Sequence, residues 1–354
     1  MSRDLTVFAQ LGLTAPIIQA PMAGVATPQM AAAVSTAGGL GSLGIGASTV
    51  EKARDLIRQT RMLTNRPFNA NVFCHRPATR NAEKETAWLN LVKPEFERFA
   101  ASPPKELAEV YRSFLDGGAM FDMLLEERPA VVSFHFGLPT PSQIKTFKDR
   151  NILMLATATN LHEARQAAAI GMDAVVAQGW EAGGHRGCFD ESAEDDQLGT
   201  FALTRILAQE LDIPVIAAGG IMDGVGIRAA LNLGAVAAQL GTAFIATDES
   251  AAPIAHREAL AGESAQHTCM TRVISGRPAR CLANRFTKWG KHIPDASVPD
   301  YPVTYDAGKA LNAAASHHGD AGYGAHWAGQ GAPLSRAMSA TQLMHDLISE
   351  IQAG

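Results

Sequence analysis

Residues 214–245 read PVIAAGGIMDGVGIRAALNLGAVAAQLGTAFI, and their pattern of apolar runs indicates the fold class. An unbroken apolar run, 214–221, is followed by a segment of helical composition, 223–233, and then by a second apolar run, 235–245. Strands that read as continuous apolar runs are typical of parallel sheets covered on both faces. The stretch therefore predicts a strand, helix and strand of an α/β protein.

The same alternation recurs along the rest of the chain. Five segments have helical composition and begin near a Thr, Ser, Asn or Asp that can cap a helix: 28–37, 49–61, 160–171, 200–211 and 223–233. Eight candidate strands result: 16–22, 40–46, 68–73, 131–137, 152–159, 174–180, 214–221 and 235–245. Eight parallel strands with crossover helices close a TIM (β/α)8 barrel, which is the predicted fold.

Two regions do not follow this alternation. Residues 76–129 lie between the third and fourth strands and include a stretch, 93–117, that we predict to be helical with a proline break. Residues 248–354 are longer than one closing helix requires. We expect 1–75 and 130–247 to form the barrel. The two irregular regions then form a second, mainly helical domain that covers the substrate, and the final helices are free to pack back on the barrel.

Composition limits the partners of the protein. Hydrophobic residues make up 47% and charged residues 18%, which is typical of a well-buried globular protein. The net charge is −5 with both signs interspersed, so no extended positive field is available for nucleic acid or anionic lipid. The four cysteines contain no C-x-x-C pair, and the N-terminus lacks an apolar signal core. We expect a cytoplasmic protein that acts on a small molecule, as either a monomer or a homodimer.

Glycine-rich stretches follow two neighbouring strands of the predicted barrel. The seventh strand ends in Gly219 and Gly220, and the eighth ends in the run 239–242, QLGT. In TIM barrels the chemistry lies at the carboxyl ends of the strands, and the loops after strands seven and eight are the usual phosphate site. Consecutive free backbone N–H groups form a cradle for a phosphate. The sequence therefore predicts a phosphorylated cofactor.

Carboxamides near the strand ends indicate which cofactor this is. Asn71, Gln178 and Gln239 lie in or beside apolar runs, where a buried amide must find hydrogen-bond partners, and a flavin ring offers both donors and acceptors. Residues 39–44, GLGSLG, fit the dinucleotide pattern G-x-G-x-x-G. A helix-like stretch precedes them where that pattern needs a strand, so we interpret them as a helix-to-strand turn. A barrel without a dinucleotide domain suits FMN.

Two histidines are candidates for the active site. His185 follows two glycines and precedes Arg186 and Gly187, so it lies on a loop where an imidazole can donate, accept or take up a proton. Glu181 precedes it by four residues, but the glycines between them exclude the helix that an H-E-x-x-H metal pair requires, so we predict no metal. His135 in VVSFHFG stays open between a core histidine and a site residue.

Tyr301, Tyr305 and Lys309 follow one another at intervals of four residues. One interpretation packs the two phenols together and leaves the lysine on the solvent face of a helix. The other, which we favour, brings a cation and two phenols together in a pocket that binds an anionic substrate with several oxygens.

The motifs together resemble the bacterial class I nitronate monooxygenases, formerly called 2-nitropropane dioxygenases, over nearly the whole chain. The matching motifs are PIIQAPMAG (16–24), NANVF (69–73), VSFHFG (132–137), GWEAGGHRG (179–187), AAGGI (217–221), AQLGTAF (238–244), SGRPAR (275–280) and YPVTYDAGKALNAAA (301–315).

The resemblance implies a role for each group of residues. His185 is expected to be the active-site histidine beside the flavin, with His135, Tyr301, Tyr305 and Lys309 lining the substrate pocket. The residues expected to contact FMN are Met22, Asn71, Gln178, Gly183, Gly219, Gly220, Gln239, Leu240, Gly241 and Thr242.

The activity implied is FMN-dependent oxidation of alkyl nitronates, with propionate 3-nitronate as the natural candidate. Dioxygen would be consumed, and a carbonyl compound and nitrite or nitrate would be released, which is a detoxification reaction. One alternative is an FMN-dependent NAD(P)H reductase acting on enoyl thioesters or quinones. A second is a flavin-binding protein without catalysis, which the polar groups at the strand ends disfavour.

Overall fold

The computed structural model describes residues 10–353, and its strands form a barrel and a small separate sheet. The barrel strands are β1 (Ile17–Gln19), β2 (Gly41–Gly44), β3 (Phe68–Phe73), β4 (Val131–His135), β5 (Leu153–Ala158), β6 (Ala174–Gln178), β8 (Val215–Ala218) and β9 (Ala237–Leu240). The small sheet contains β7 (Gly184–His185), β10 (Thr268–Thr271) and β11 (Ala279–Leu282). Each barrel strand lies inside one of the apolar runs, so the eight predicted strands are confirmed.

The barrel strands pair in parallel in the order β1, β9, β8, β6, β5, β4, β3, β2. The ring closes between the two ends of this order. There the N–H of Gln19 donates to the carbonyl of Leu40 (3.0 Å), and the N–H of Leu40 donates to the carbonyl of Ile17 (2.9 Å). The predicted TIM barrel is therefore confirmed, with a narrow seam of two hydrogen bonds at its closure.

The helices surround the barrel and continue beyond it. They are α1 (Pro28–Thr36), α2 (Val50–Leu63), α3 (Ala82–Glu97), α4 (Ala119–Glu127), α5 (Pro141–Asp149), α6 (Leu161–Ala169), α7 (Thr200–Glu210), α8 (Gly224–Leu233), α9 (Thr242–Ile245), α10 (Ile254–Ala261), α11 (Arg285–Gly290), α12 (Val303–His317) and α13 (Ala340–Gln352). Within residues 10–353, no helix has both the length and the apolar character needed to cross a membrane.

Helix caps fix the register of the crossover helices. The side chains of Thr27, Thr49, Asn160 and Asp223 accept hydrogen bonds from backbone N–H groups in the first turns of α1, α2, α6 and α8. These bonds satisfy donors that have no partner inside the helix. Helix α7 differs, because Gly199 at its start offers no side chain. All five helices predicted from composition are present.

The GLGSLG stretch is a helix-to-strand turn, as interpreted from the sequence. Helix α1 ends at Thr36, and β2 begins at Gly41. A Cβ on Gly41 would overlap the backbone of Ala31, so the strand approaches the helix as closely as it does only because this residue is glycine.

The small sheet was not predicted. Its strand β11 pairs antiparallel with β10 on one side and with β7 on the other, where Ala279 lies opposite His185 and Arg280 lies opposite Gly184. The sheet therefore joins the loop after β6 to the C-terminal part of the chain. A two-residue strand such as β7 is too short to show an alternation of apolar and polar residues, so the sequence pattern does not predict it.

The prediction that residues 93–117 are helical is wrong for most of that stretch. Helix α3 runs through Pro94 to Glu97, and residues 101–117 form no helix. Pro103 and Pro104 have no N–H to donate. Beyond them, a helix would point Leu107, Tyr111 and Phe114 in the same direction, because they are spaced by four and three residues. In the structure Leu107 lies in the core shared with α3, Tyr111 lines a cavity and Phe114 lies in the core of the barrel.

A second hydrophobic core lies beyond the barrel. It joins Trp88, Val92 and Phe96 of α3 to Phe286 of α11 and Leu311 of α12. Helix α4 instead packs against α2 of the barrel, and α13 packs against α1 and α8. The division into a barrel and a covering domain stays a prediction, but residues from both irregular regions, 76–129 and 248–354, contribute to this core.

Candidate active site

A cavity of about 570 Å³ opens at the carboxyl ends of the barrel strands. Most residues predicted for the site line it: Met22, Asn71, His135, Gln178, Gly183, His185, Gly219, Gly220, Gln239, Gly241, Thr242, Tyr301, Tyr305 and Lys309. Leu240 does not line the cavity. Its side chain is buried in the hydrophobic core, and its carbonyl accepts a hydrogen bond from the N–H of Ala20 (2.8 Å).

His185 lies on β7, with its ring held from one side and open to the cavity on the other. Its Nε2 lies 2.9 Å from the Oγ of Ser275. The rings of Trp327 (5.0 Å between centroids), Tyr301 (5.4 Å) and Phe136 (5.7 Å) surround it. The rotation of the imidazole is therefore restricted by packing on several sides.

The backbone carbonyl of His185 is also fixed. It accepts hydrogen bonds from the Nε2 of Gln178 (3.0 Å) and from the Nε2 of His135 (3.2 Å). Since a carbonyl only accepts, His135 must carry its proton on Nε2. The Oε1 of Gln178 accepts from the N–H of Gly187 (2.7 Å), so both ends of this carboxamide hold the loop that carries His185.

The three histidines around the cavity are neutral at physiological pH. Burial, the positive charge of Arg277 and the neighbouring rings of His135 and His75 together lower the pKa of His185 to about 3. Burial and Arg277 likewise lower the pKa of His135 and of His75 to about 4. An uncharged imidazole can donate one hydrogen bond and accept another, which a protonated ring cannot do.

His75 makes the stability of the fold depend on pH. Its pKa is about 4 in the folded protein, against 6.5 for a free histidine, so the unfolded chain binds more protons between these values. Stability should therefore fall as pH drops from about 6.5 towards 4. In the variant His75→Gln, the difference in bound protons between the unfolded and the folded state should fall by up to about one in this pH range, so the free energy of unfolding should depend less on pH. The free energy of unfolding in urea, measured near pH 7 and near pH 5, checks this. The same change between the two pH values in variant and parent would contradict it.

A polar layer lies beneath the floor of the cavity, on β2, β3 and β4. The Nδ2 of Asn71 donates to the Oγ (2.8 Å) and to the carbonyl (3.1 Å) of Ser133. One layer below, the Nδ2 of Asn69 donates to the same Oγ (2.9 Å) and to the Oγ of Ser42 (3.2 Å). These bonds use the nitrogen of Asn71 and fix the carboxamide in one orientation at the cavity wall.

Glycines form a cradle where β8 ends. Gly219 and Gly220 have φ angles of 122° and 71°, in the left-handed region that side chains disfavour. Within residues 10–353, no acceptor is bonded to the backbone N–H of either glycine. The Oγ1 of Thr200 lies 2.9 Å from the carbonyl oxygen of Gly219 and 2.9 Å from a carboxylate oxygen of Glu181, and its single proton is shared between these two acceptors, which fixes the turn. Two free donors in a fixed turn are suited to an anionic ligand.

A cation and three phenols line another part of the cavity. The Nζ of Lys309 lies 4.4 Å from the ring centroid of Tyr111 and 5.2 Å from that of Tyr305. Burial lowers the pKa of Lys309, raises that of Tyr111 to about 12 and raises that of Tyr301 well above its usual value. Within residues 10–353 no carboxylate forms a salt bridge with Lys309, and the charge of Asp306 acts on it only at longer range, so the N–H groups of the ammonium are available to a ligand.

Several residues of this site were not predicted from the sequence. Tyr111, Phe136 and Trp327 line the cavity, and Ser275 and Arg277 lie directly behind it. The SGRPAR motif contains the last two, but the motif by itself assigns no role to either. Tyr111 lies in a stretch that was wrongly predicted to be helical, and Trp327 lies in a glycine-rich coil, so the sequence pattern places neither residue at a strand end.

Phe136 shows how tightly the site is built. Its φ of 72° is uncommon for any residue but glycine. Its ring packs against Tyr301 (5.4 Å between centroids), and the guanidinium of Arg277 lies 4.2 Å from its centroid. Arg277 also bonds the backbone carbonyls of Arg186 (3.3 Å) and Cys188. Backbone strain of this kind persists where surrounding contacts impose it, which is frequent at functional sites.

A parallel β/α barrel that brings a neutral histidine, a free anion cradle and an unpaired lysine into one cavity has the site of a small-molecule enzyme. Comparison with known proteins narrows this class. The chain matches the nitronate monooxygenase family over residues 6–350. It belongs to that family and is an oxidoreductase, and members of the family use a flavin.

Individual relatives agree with the family assignment. The chain is 58% identical to the nitronate monooxygenase of Paraburkholderia phytofirmans, over 97% of this chain and 93% of the relative. It is 52% identical to that of Pseudomonas aeruginosa, over 97% of each. Among solved structures, the nitroalkane oxidase of Streptomyces ansochromogenes superposes with a TM-score of 0.88 at 41% identity, covering 98% of both chains.

Proposed function

We propose that the protein oxidises alkyl nitronates, with propionate 3-nitronate as the substrate, FMN as the cofactor and dioxygen as the co-substrate. The products are a carbonyl compound and nitrite or nitrate, and the role is detoxification. One observation carries the proposal: the cavity has a neutral histidine at one wall and an unpaired lysine at another. A dianion with two oxygen-rich ends suits such a cavity.

FMN fits the remaining walls of the cavity. The free N–H groups of Gly219 and Gly220 suit its phosphate, and Gly241 and Thr242 follow the neighbouring strand at the same end of the barrel. Asn71 and Met22 line the wall on the side of β1 and β3 and are expected to meet the ring. When bound, FMN supplies the electron transfer that no side chain of the cavity can perform.

His185 is expected to bind the nitronate group. A nitronate is already deprotonated, so the enzyme need not supply a strong base. This agrees with the low pKa of His185, because a group with a pKa of about 3 is a weak base at neutral pH. The neutral ring is instead placed to donate a hydrogen bond to a nitronate oxygen.

Lys309 is expected to bind the carboxylate of propionate 3-nitronate. Its ammonium packs on the rings of Tyr111 and Tyr305, which hold it in place and leave its N–H groups free. The hydroxyl groups of the tyrosines stay protonated at neutral pH, because burial raises their pKa values, so they too can donate hydrogen bonds.

We also propose that residues 76–129 and 248–354 act as the covering domain of this site. They supply Tyr111, Tyr301, Tyr305, Lys309 and Trp327 to the cavity, and they share a hydrophobic core that the barrel does not enter. The barrel then binds the cofactor, and the covering domain selects the substrate.

The glycine cradle can be tested with a matched pair of variants. Gly220 and Gly319 have nearly equal φ angles, 71° and 72°, so alanine should strain the backbone similarly at both positions. Only Gly220 lines the cavity. Both variants should lose about 1–2 kcal/mol of stability. Gly220→Ala alone also adds a methyl group at the cavity wall, so it alone should weaken FMN binding, by about tenfold or more. Fluorescence titration of the apoproteins with FMN measures the difference, and equal affinities would contradict a phosphate site here.

The reaction itself is tested by anaerobic stopped-flow spectroscopy of the FMN-loaded protein. It is mixed separately with propionate 3-nitronate and with NADH, and the flavin absorbance is followed. We expect a fast change with the nitronate and a slow one with NADH. Fast bleaching by NADH with no response to the nitronate would instead establish an NAD(P)H reductase. No response to either would leave a flavin-binding protein without this chemistry.

A further inference from the structure

The hydroxyl of Ser275 has three hydrogen-bonding neighbours. Its Oγ lies 2.9 Å from the Nε2 of His185, 3.2 Å from the carbonyl oxygen of Arg277 and 3.4 Å from the backbone N of Arg277. The side chain is completely buried, at 0% exposure. A hydroxyl has one proton to donate and two lone pairs to accept with, so the direction of each bond follows from counting.

One arrangement satisfies all three neighbours. The hydroxyl donates to the carbonyl of Arg277 and accepts from its N–H and from a protonated Nε2 of His185. In the second arrangement the hydroxyl turns and donates to an unprotonated Nε2, and His185 then carries its proton on Nδ1. Within residues 10–353, no protein group is bonded to Nδ1 of His185, which leaves that nitrogen to a ligand. The orientation of the Ser275 hydroxyl therefore determines whether Nδ1 of His185 accepts or donates a hydrogen bond.

We propose that Ser275 is a positioning residue that keeps His185 protonated on Nε2 in the free enzyme and turns to permit protonation on Nδ1 when a nitronate binds. The proposal rests on the proposed function, since nitronate oxygens only accept hydrogen bonds and so require an N–H at Nδ1. The charge of the ring is unchanged, because one proton is taken up at Nδ1 from water in the cavity and one is lost from Nε2, so the exchange with solvent balances. The hydrogen bonds of the Ser275 hydroxyl therefore make the tautomer of His185 depend on whether a ligand is bound.

Nitrogen-15 NMR of histidine-labelled, FMN-loaded protein tests the free state, because the two ring nitrogens give different shifts when protonated and unprotonated. The His185→Ala spectrum identifies the signals of His185. We expect the parent to show protonation mainly on Nε2, and the variant S275A to populate both tautomers. A parent protonated mainly on Nδ1, or a tautomer ratio unchanged in S275A, overturns the proposal. These spectra need no turnover, so they are informative even if the proposed function fails.

Kinetics test the bound state. We expect kcat/KM for propionate 3-nitronate to fall by about tenfold in S275A, because losing the hydrogen bond that orients the ring toward the ligand outweighs the gain from a more populated Nδ1 tautomer. A thiol donates and accepts only weakly, so S275C should fall between the parent and S275A, and it replaces S275A if the latter does not fold. Unchanged kcat/KM in the folded variant overturns the proposal.

A matched control comes from a buried serine elsewhere. Ser35 also bonds two backbone groups, the carbonyl of Pro67 (2.8 Å) and the N–H of Gly41 (3.0 Å), and it does not line the cavity. S35A should leave both the spectrum of His185 and the kinetics unchanged. A loss in S35A equal to that in S275A would mean that any buried hydroxyl matters equally, which overturns the specific role.

Discussion

Replacing His185 by alanine is expected to lower kcat/KM for propionate 3-nitronate by about 10²- to 10³-fold, with FMN retained. The magnitude is that of removing one donor aimed at a negatively charged group in an enclosed site. The imidazole is held by Ser275 and by surrounding aromatic rings, so no neighbouring group can move in to replace it. Steady-state oxygen consumption gives the rate, and the flavin spectrum gives the cofactor content.

Asparagine at the same position distinguishes orientation from bulk. Its carboxamide nitrogen lies near the place of Nδ1 but cannot reach Ser275, so His185→Asn should be impaired less than His185→Ala. Exposed His162 on α6 supplies the control, and His162→Ala should behave as the parent. Full activity in a flavin-loaded His185→Ala protein would remove His185 from the mechanism.

Replacing Lys309 by methionine is expected to lower kcat/KM for propionate 3-nitronate by about 10- to 100-fold. Methionine keeps much of the length of the side chain and removes the charge, and hydrogen bonds to charged groups contribute about 1.5–3 kcal/mol. The loss should appear mainly in KM, because the carboxylate is equally bound in the ground state and in the transition state.

The substrate supplies the control for this variant. Ethyl nitronate has no carboxylate, so Lys309→Met should change its kcat/KM by less than about threefold. Lys288→Met on α11, an exposed position outside the cavity, should affect neither substrate. Equal losses for both nitronates would mean that Lys309 binds the nitronate group or only supports the fold, and the assignment of the carboxylate would be wrong.

The barrel could be predicted because its signals are local. Each strand is a short apolar run between breaker residues, and the caps at Thr27, Thr49, Asn160 and Asp223 act within three residues of themselves. The position of a catalytic group at a strand end then follows from the fold class alone. Gly219 and Gly220 can be identified in this way, because they directly follow an apolar run that the fold class assigns to a strand.

The rest of the site depends on contacts between distant parts of the chain. Ser275 reaches His185 only because β11 pairs with β7, a pairing that no run of residues announces. Gln178 was expected to contact FMN, and it lines the cavity, but its two ends bond the loop that carries His185. The left-handed backbone of Phe136 is imposed by its neighbours and has no sequence signal, since phenylalanine disfavours it.

The small sheet has a consequence for building chimaeras within this family. Because β7 pairs with β11, His185, the proposed active-site histidine, lies on a strand that is paired with one almost a hundred positions later in the chain. A chimaera that exchanged only residues 248–354 would take β11 from one protein and keep β7, with His185, from the other. Recombination that aims to change substrate preference should therefore transfer 179–199 together with the C-terminal segment, and leave Gly219, Gly220 and Gly241 with the recipient.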